Sequence, residues 1–163
     1  MSINVVLVEP EIPQNTGNIA RTCAAIGATL HLVKPLGFDI SEKAVRRAGL
    51  DYWDKLDIIV YESLDDFKQK IKTDDFYLLS TKSKKYYTEV NYTKDSYIIF
   101  GPESRGLPES YILENFEHAV RIPMRENLRS LNLSNSVAIV AYEVERQIDF
   151  YNLEKGSKYF DKK

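Results

Sequence analysis

Three short segments hold most of the residues suited to binding a polar, anionic ligand. The first is Glu9-Pro10-Glu11-Ile12-Pro13-Gln14-Asn15-Thr16-Gly17-Asn18-Ile19-Ala20-Arg21. It supplies side-chain amides at Gln14, Asn15 and Asn18 and a guanidinium at Arg21. Asn18 and Arg21 are three apart, so a helix presents both on one side. The second is Gly101-Pro102-Glu103-Ser104-Arg105-Gly106-Leu107-Pro108. Gly101 permits close approach to the backbone, Pro102 stiffens the loop and Gly106 suits positive φ. Glu103 and Arg105 offer opposite charges to a ligand or to each other. The third runs from Arg121-Ile122-Pro123-Met124 to Arg129-Ser130-Leu131-Asn132-Leu133-Ser134-Asn135-Ser136. Ser134 or Asn132 suits a helix N-cap, and the free amides of a helix N-terminus favour an anion or a polar ring edge.

Other chemistries lack their residues. The chain has no G-x-G-x-x-G, no Walker lysine motif, no G-x-S-x-G elbow and no H-E-x-x-H. His31 lies in an apolar run and His118 near a turn, and both read as structural. Cys23, the single cysteine, excludes an internal disulfide framework and falls on an apolar helix face. No Cys/His cluster suggests a metal.

These segments need a scaffold, and the pattern predicts one of alternating strands and helices. Strands are expected at Ile3–Val8, Thr29–Val33, Ile58–Tyr61, Phe76–Ser80, Tyr97–Phe100 and Ala119–Ile122. A helix is expected over Asn15–Gly27, capped by Asn15 or Thr16, and a short one from Ser41 through Ala48. Another follows a Ser63/Asp66 capping box, and Pro108 opens the next. The last is the clearest. Leu133, Val137, Ala141, Val144 and Ile148 share one face that Val140, Ala138 and Ile139 widen, so this helix is buried in the core or against another subunit. Short strands apolar on both faces argue a parallel α/β sheet. The first segment then follows the first strand, where open α/β sheets place ligands.

Composition sets the outer bounds. The chain has 163 residues, 44% hydrophobic and 28% charged, with net charge −2. That favours one soluble, cytoplasmic domain over residues 1–163, with a peripheral tail after about Tyr151. Ile3–Val8 is too short for a signal peptide core, and no run suits a membrane span. The net charge excludes a generally basic nucleic-acid binder, but seven of the eight arginines, all except Arg146, lie in or beside Gly-, Pro- or Asn-rich segments. Planar guanidinium donors there point to phosphate or carboxylate.

The segments EPEIPQNTGNIAR, HLVKPLGF, RRAGLDYW, GPESRGLP and RIPM followed by RSLNLSNSVAIVAYE occur in that order over nearly the whole chain. In them the sequence resembles the SPOUT superfamily of knotted RNA methyltransferases, and within it the minimal single-domain tRNA wobble-nucleotide 2′-O-methyltransferases. The resemblance implies a homodimer, a deep C-terminal trefoil knot and an S-adenosylmethionine site. Knots are essentially absent from folds in general, so the knot rests on the resemblance alone. It also implies methyl transfer to the ribose 2′-hydroxyl of cytidine or modified uridine in anticodons, notably of leucine tRNAs. Cofactor contacts fall on Leu79, Gly101, Ile122, Ser130 and Leu131. Catalytic roles fall on Arg21, Asn18, Glu103 and Ser134, and substrate contacts on Arg105, Arg129, Asn132 and Tyr142, with Asn135 in the same motif. A charged guanidinium has donors and no acceptor, so Arg21 is expected to orient the target and stabilise a developing alkoxide. Arg46, Arg47, Lys82, Lys84, Lys85 and Arg125 join Arg105 and Arg129 as candidate phosphate contacts, with Tyr86 and Tyr87 as stacking platforms. A ribosomal-RNA ribose methyltransferase and a non-catalytic RNA-binding dimer are the alternatives.

Overall fold

The computed structural model describes residues 2–41 and 53–161. The helix expected from Ser41 through Ala48, with Arg46 and Arg47, lies outside the described residues beyond Ser41.

All six strands form one parallel sheet: β1 (Asn4–Val8), β2 (Thr29–Val33), β3 (Ile58–Tyr61), β4 (Phe76–Leu79), β5 (Tyr97–Phe100) and β6 (Ala119–Val120), in the order β3-β2-β1-β5-β4-β6. Val6 of β1 sits opposite His31 of β2 on one side and Ile99 of β5 on the other. Because side chains alternate along a strand, Val5, Leu7, Leu30, Leu32, Ile98 and Phe100 point to one face. There they meet helix α1 (Pro13–Ile26) and helix α4 (Leu133–Gln147), which contribute Ile19, Cys23, Val137, Val140, Ala141 and Val144. Val6, Val8, Val33, Leu78 and Ile99 point to the other face. Helices α2 (Leu64–Lys70) and α3 (Glu109–Glu114) cover it with Phe67, Tyr111 and Ile112. A sheet covered on both faces explains strands without polar alternation.

Three expectations change in detail. Neither Asn15 nor Thr16 caps α1: Pro13 starts the helix, Ile12 is the N-cap without a side-chain bond, and both expected caps are buried in the first turn. Proline favours that first position because its missing N–H has no helical partner there. Strand β6 ends at Val120, two residues short, and Arg121 keeps only a bridge to Tyr86 before Pro123. Helix α4 is buried on one side, while Ile139 and Tyr142 are 37% and 47% exposed. Within its buried side Glu145 is 2% exposed, its Oε2 has no hydrogen-bond partner, and burial raises its pKa.

The capping box is present, with Asp66 N–H donating to Ser63 Oγ at 3.1 Å. His31 is a core residue, as expected. Asn4 directs its side-chain amide at the carbonyls of Ser2 and Asp95, which leaves Asn4 Oδ1 to accept from His31 Nε2 at 3.0 Å. Nδ1 then accepts from the Tyr61 hydroxyl at 2.9 Å. Burial pushes the imidazole pKa down to about 4, so the ring stays neutral. His118 contacts the Phe76 carbonyl at 3.0 Å and stacks on that ring at 4.2 Å. Among the described residues no helix is long and apolar enough to cross a membrane, and no His/Cys/Asp/Glu group suits a metal ion.

Candidate active site

Strand order decides where a ligand can enter. From β1 the chain moves outward to β2 and β3, whereas β5 lies on the opposite side of β1. The helices after these neighbours also part: α1 packs on one face and α3 on the other. Their leading loops diverge and leave a crevice at the carboxyl ends of β1 and β5, the switch point of an open α/β sheet.

A cavity of about 560 Å³ opens there. Its walls come from Ile12 and Asn15 at the start of α1, residues 79–82 after β4, the 100–107 loop after β5, and Ile122, Met124 and 129–133 after β6. Leu79, Gly101, Ile122, Ser130 and Leu131, the five expected cofactor contacts, all line it, as do Glu103, Arg105, Arg129 and Asn132. Asn18, Arg21, Ser134 and Tyr142 do not. Asn18 and Arg21 are exposed on α1, and Tyr142 is exposed on α4. Gly101 is required by a close approach: a Cβ there would lie 2.2 Å from the Gly106 carbonyl carbon and the Leu107 nitrogen. The loop is thus folded onto its own first residue, with Gly106 at φ +70° closing it.

A hydrogen-bonded chain joins the three segments. Both carboxylate oxygens of Glu103 are engaged: Oε2 accepts from Glu11 N–H at 2.7 Å, and Oε1 from Ile12 N–H at 3.0 Å and Asn15 Nδ2 at 3.2 Å. Glu103 therefore satisfies, from the second segment, the two backbone amides that lead into α1 and the side-chain amide of Asn15 in its first turn. A negative charge also suits a helix N-terminus. Partial burial pushes the Glu103 carboxyl pKa up, but these hydrogen bonds outweigh it and hold it below its ordinary value. Asn15 passes the connection on, accepting from Asn132 Nδ2 at 3.0 Å through its own Oδ1. Asn132 Oδ1 then caps α4, accepting from the amides of Ser134 and Asn135 at 2.9 and 3.3 Å and from the Ser134 hydroxyl at 2.6 Å. Asn132 rather than Ser134 is the N-cap, and the Ser134 hydroxyl is directed into that cap.

Asn15 is the residue that the sequence reading undervalued. Its residue type and place suit a local cap, yet it is 6% exposed and bonds to residues 88 and 117 positions away. Its flanks, Gln14 and Thr16, are polar as well, so nothing local separates an inward-facing amide from a solvated one. Arg105, read as a substrate contact, is held by acidic residues of the first segment. It donates to Glu9 and lies 3.6 Å from Glu11, whose carboxylate also accepts from the Ser104 hydroxyl at 2.6 Å. Arg129 has no ion-pair partner among the described residues.

A largely apolar cavity of this size, built from loops over the switch point and carrying a few placed polar groups, has room for a ligand of nucleoside-cofactor size in an α/β protein. Residues 2–142 match the SpoU rRNA Methylase family, and the chain belongs to it. It is 47% identical over 149 residues to the tRNA (cytidine(34)-2′-O)-methyltransferase of Saccharophagus degradans, covering 90% of this chain and 96% of that protein. The enzyme of the same name from Yersinia pestis is 46% identical over 155 residues, covering 91% and 95%. A solved structure described as giving insights into the 2-OH methylation of C/U34 on tRNA superposes with a TM-score of 0.83 at 42% identity, covering 91% of this chain and 97% of that one.

Proposed function

We propose that this protein transfers a methyl group from S-adenosylmethionine to the ribose 2′-hydroxyl of the wobble nucleotide of tRNA, cytidine or modified uridine at position 34. The observation that carries the reading is the cavity over the β1/β5 crevice, built from the three segments of the family and seen in a chain whose relatives bear that activity in their names. The residues fit such a cofactor. Leu79, Ile122 and Leu131 give apolar surface for a purine, and the close-folded Gly101 loop leaves backbone groups where a side chain would intrude.

When bound, the cofactor supplies a methyl group already activated on a sulfonium. The chain must bind, exclude water and align the hydroxyl. Glu103 has both oxygens engaged, so its work is to hold the first and second segments together. Asn132 and the α4 N-terminus hold the third, and the Ser134 hydroxyl supports that cap. Arg21 brings donors only, which suits orienting a ribose or phosphate and stabilising oxygen charge as the proton leaves. Because Arg21 and Asn18 do not line their own chain's cavity, a homodimer is the arrangement that would complete the site. The exposed pair Ile139 and Tyr142, three apart on α4, supports such an interface. We read residues 1–163 as one domain and the cytoplasm as its setting. A trefoil knot fits the return of the chain from the β6 edge to pack α4 against α1, past the 85–87 segment bonded to Arg121.

The test is methyl transfer from labelled cofactor to tRNA from cells lacking this protein, leucine tRNAs first, with nucleoside analysis. Label in 2′-O-methylcytidine or a 2′-O-methyluridine derivative at position 34 supports the reading. Label in ribosomal RNA alone moves the substrate to the second reading, which the family's description favours.

A further inference from the structure

We propose that Lys82 holds the carboxylate at the amino-acid end of the cofactor, and that Glu109 competes with that carboxylate for the Lys82 ammonium. The assignment rests on the reading of the cavity as the S-adenosylmethionine site.

The argument is one of charge. The adenosine end of this cofactor is neutral, whereas its amino-acid end is a zwitterion: the α-ammonium is a donor that needs acceptors, and the carboxylate needs a cation or hydrogen-bond donors once it leaves water. Four charged side chains line the cavity: Lys82, Glu103, Arg105 and Arg129. Glu103 has the wrong sign and both oxygens engaged. Arg105 is held by Glu9 and Glu11. Of the two remaining cations, Arg129 lies in an exposed segment, and no partner among the described residues fixes its direction.

Lys82 differs from Arg129 in being anchored. It follows β4, whose neighbours β5 and β6 lead into the other two walls, so its backbone stands between them. Its amide donates to Ser80 Oγ at 3.2 Å, which fixes the turn. Its ammonium is paired with a carboxylate already, that of Glu109 at the start of α3. The pair is solvent-exposed, 53% at Lys82 and 74% at Glu109, so little free energy opposes an exchange of one carboxylate for another. Glu109 itself is not part of the cavity wall. The pair thus acts as a weak internal competitor: each cofactor molecule that binds must take Lys82 from Glu109.

Equilibrium binding, read by calorimetry without turnover, tests this with two probes. S-adenosylhomocysteine has the amino-acid end, and 5′-methylthioadenosine keeps the adenosine and thioether but lacks it. Lys82→Ala should weaken S-adenosylhomocysteine about tenfold, the worth of one partly exposed charge-assisted hydrogen bond, and change methylthioadenosine less than about twofold. Glu109→Gln should tighten S-adenosylhomocysteine about two- to threefold, leave methylthioadenosine unchanged, and have no effect on either ligand when Lys82 is already Ala. Equal losses for both probes in Lys82→Ala would make the residue a structural prop and overturn the assignment. A tenfold loss in Arg129→Ala with none in Lys82→Ala would move the carboxylate to Arg129. A change confined to the KM for tRNA would make Lys82 an RNA contact. Failure of the unmodified protein to bind either probe would instead defeat the cofactor reading of the cavity, a result distinct from all of these.

Discussion

Glu103→Gln tests whether a carboxylate from the second segment holds the first in place. The substitution preserves shape, but a single carbonyl oxygen replaces two charged ones, and the new amide faces an N–H. The donors at stake are Glu11 N–H, Ile12 N–H and Asn15 Nδ2, at 2.7, 3.0 and 3.2 Å. A hydrogen bond to a charged acceptor contributes about 1.5–3 kcal/mol, and water reaches this half-buried group to replace part of it. The expected cost is therefore about 2 kcal/mol for Gln and about 3 kcal/mol for Ala. For a chain of this size the Gln variant should melt roughly 4–8 °C lower. The measurement is a urea unfolding series at pH 7, repeated in acid. Because the folded carboxyl has a lowered pKa, its stabilisation is complete above the ordinary 4.5 and disappears as pH falls through the folded value. The gap between the two proteins should therefore close in acid. An unfolding midpoint for Glu103→Gln equal to that of the unmodified protein at pH 7, or a gap that persists unchanged at pH 3, would refute the clamp.

Gly101→Ala puts a methyl group 2.2 Å from backbone atoms of Gly106 and Leu107, so the loop must open. S-adenosylhomocysteine binding, followed by calorimetry, should weaken more than about tenfold, with about 1–3 kcal/mol lost in urea unfolding. Arg21→Ala should lower kcat at least about tenfold, consistent with loss of an alkoxide-stabilising donor, while equilibrium binding of S-adenosylhomocysteine stays unchanged because Arg21 does not line its own chain's cavity and its proposed role is at the target oxygen. His31 titrates at about 4 when folded against 6.5 ordinarily, so the unfolded chain takes up its proton first. Its contribution is whole above pH 6.5 and lost between 6.5 and 4, about 3 kcal/mol in all. Unfolding free energies from urea series across that range should fall by about that much less in His31→Gln.

Much of the scaffold is legible in the residues because its causes are local. The apolar β-branched runs at Thr29–Val33, Ile58–Tyr61 and Tyr97–Phe100 are strands to the residue. Ser63 caps its helix because a side chain three residues from the amide it serves can always reach it. Where local and distant effects compete, the reading slips. Asn15 looks like a cap because Asn is a good one, but Pro13 takes the first helical position and Asn15 turns inward to Glu103 and Asn132. Arg105 reads as a partner of Glu103 or of a ligand because nothing in its own segment announces that Glu9 and Glu11 approach it. The candidate site shows the same division. Its wall residues sit in motifs that can be read one at a time. Their mutual contacts, and the distance of Arg21 from the cavity, depend on a sheet order in which β5 lies beside β1.

The Asn15–Asn132 hydrogen bond closes a loop of 117 residues, and that span bears on the protein during its own synthesis. The cavity draws walls from loops after β1, β4, β5 and β6, so the ribosome must release most of the chain before the cavity can be complete. Contacts so distant in sequence form late, after nearby strands and helices. A nascent chain can therefore acquire most of its sheet while its ligand cavity still lacks the wall that follows β6. The order of assembly therefore places the cavity last, behind the scaffold that carries it.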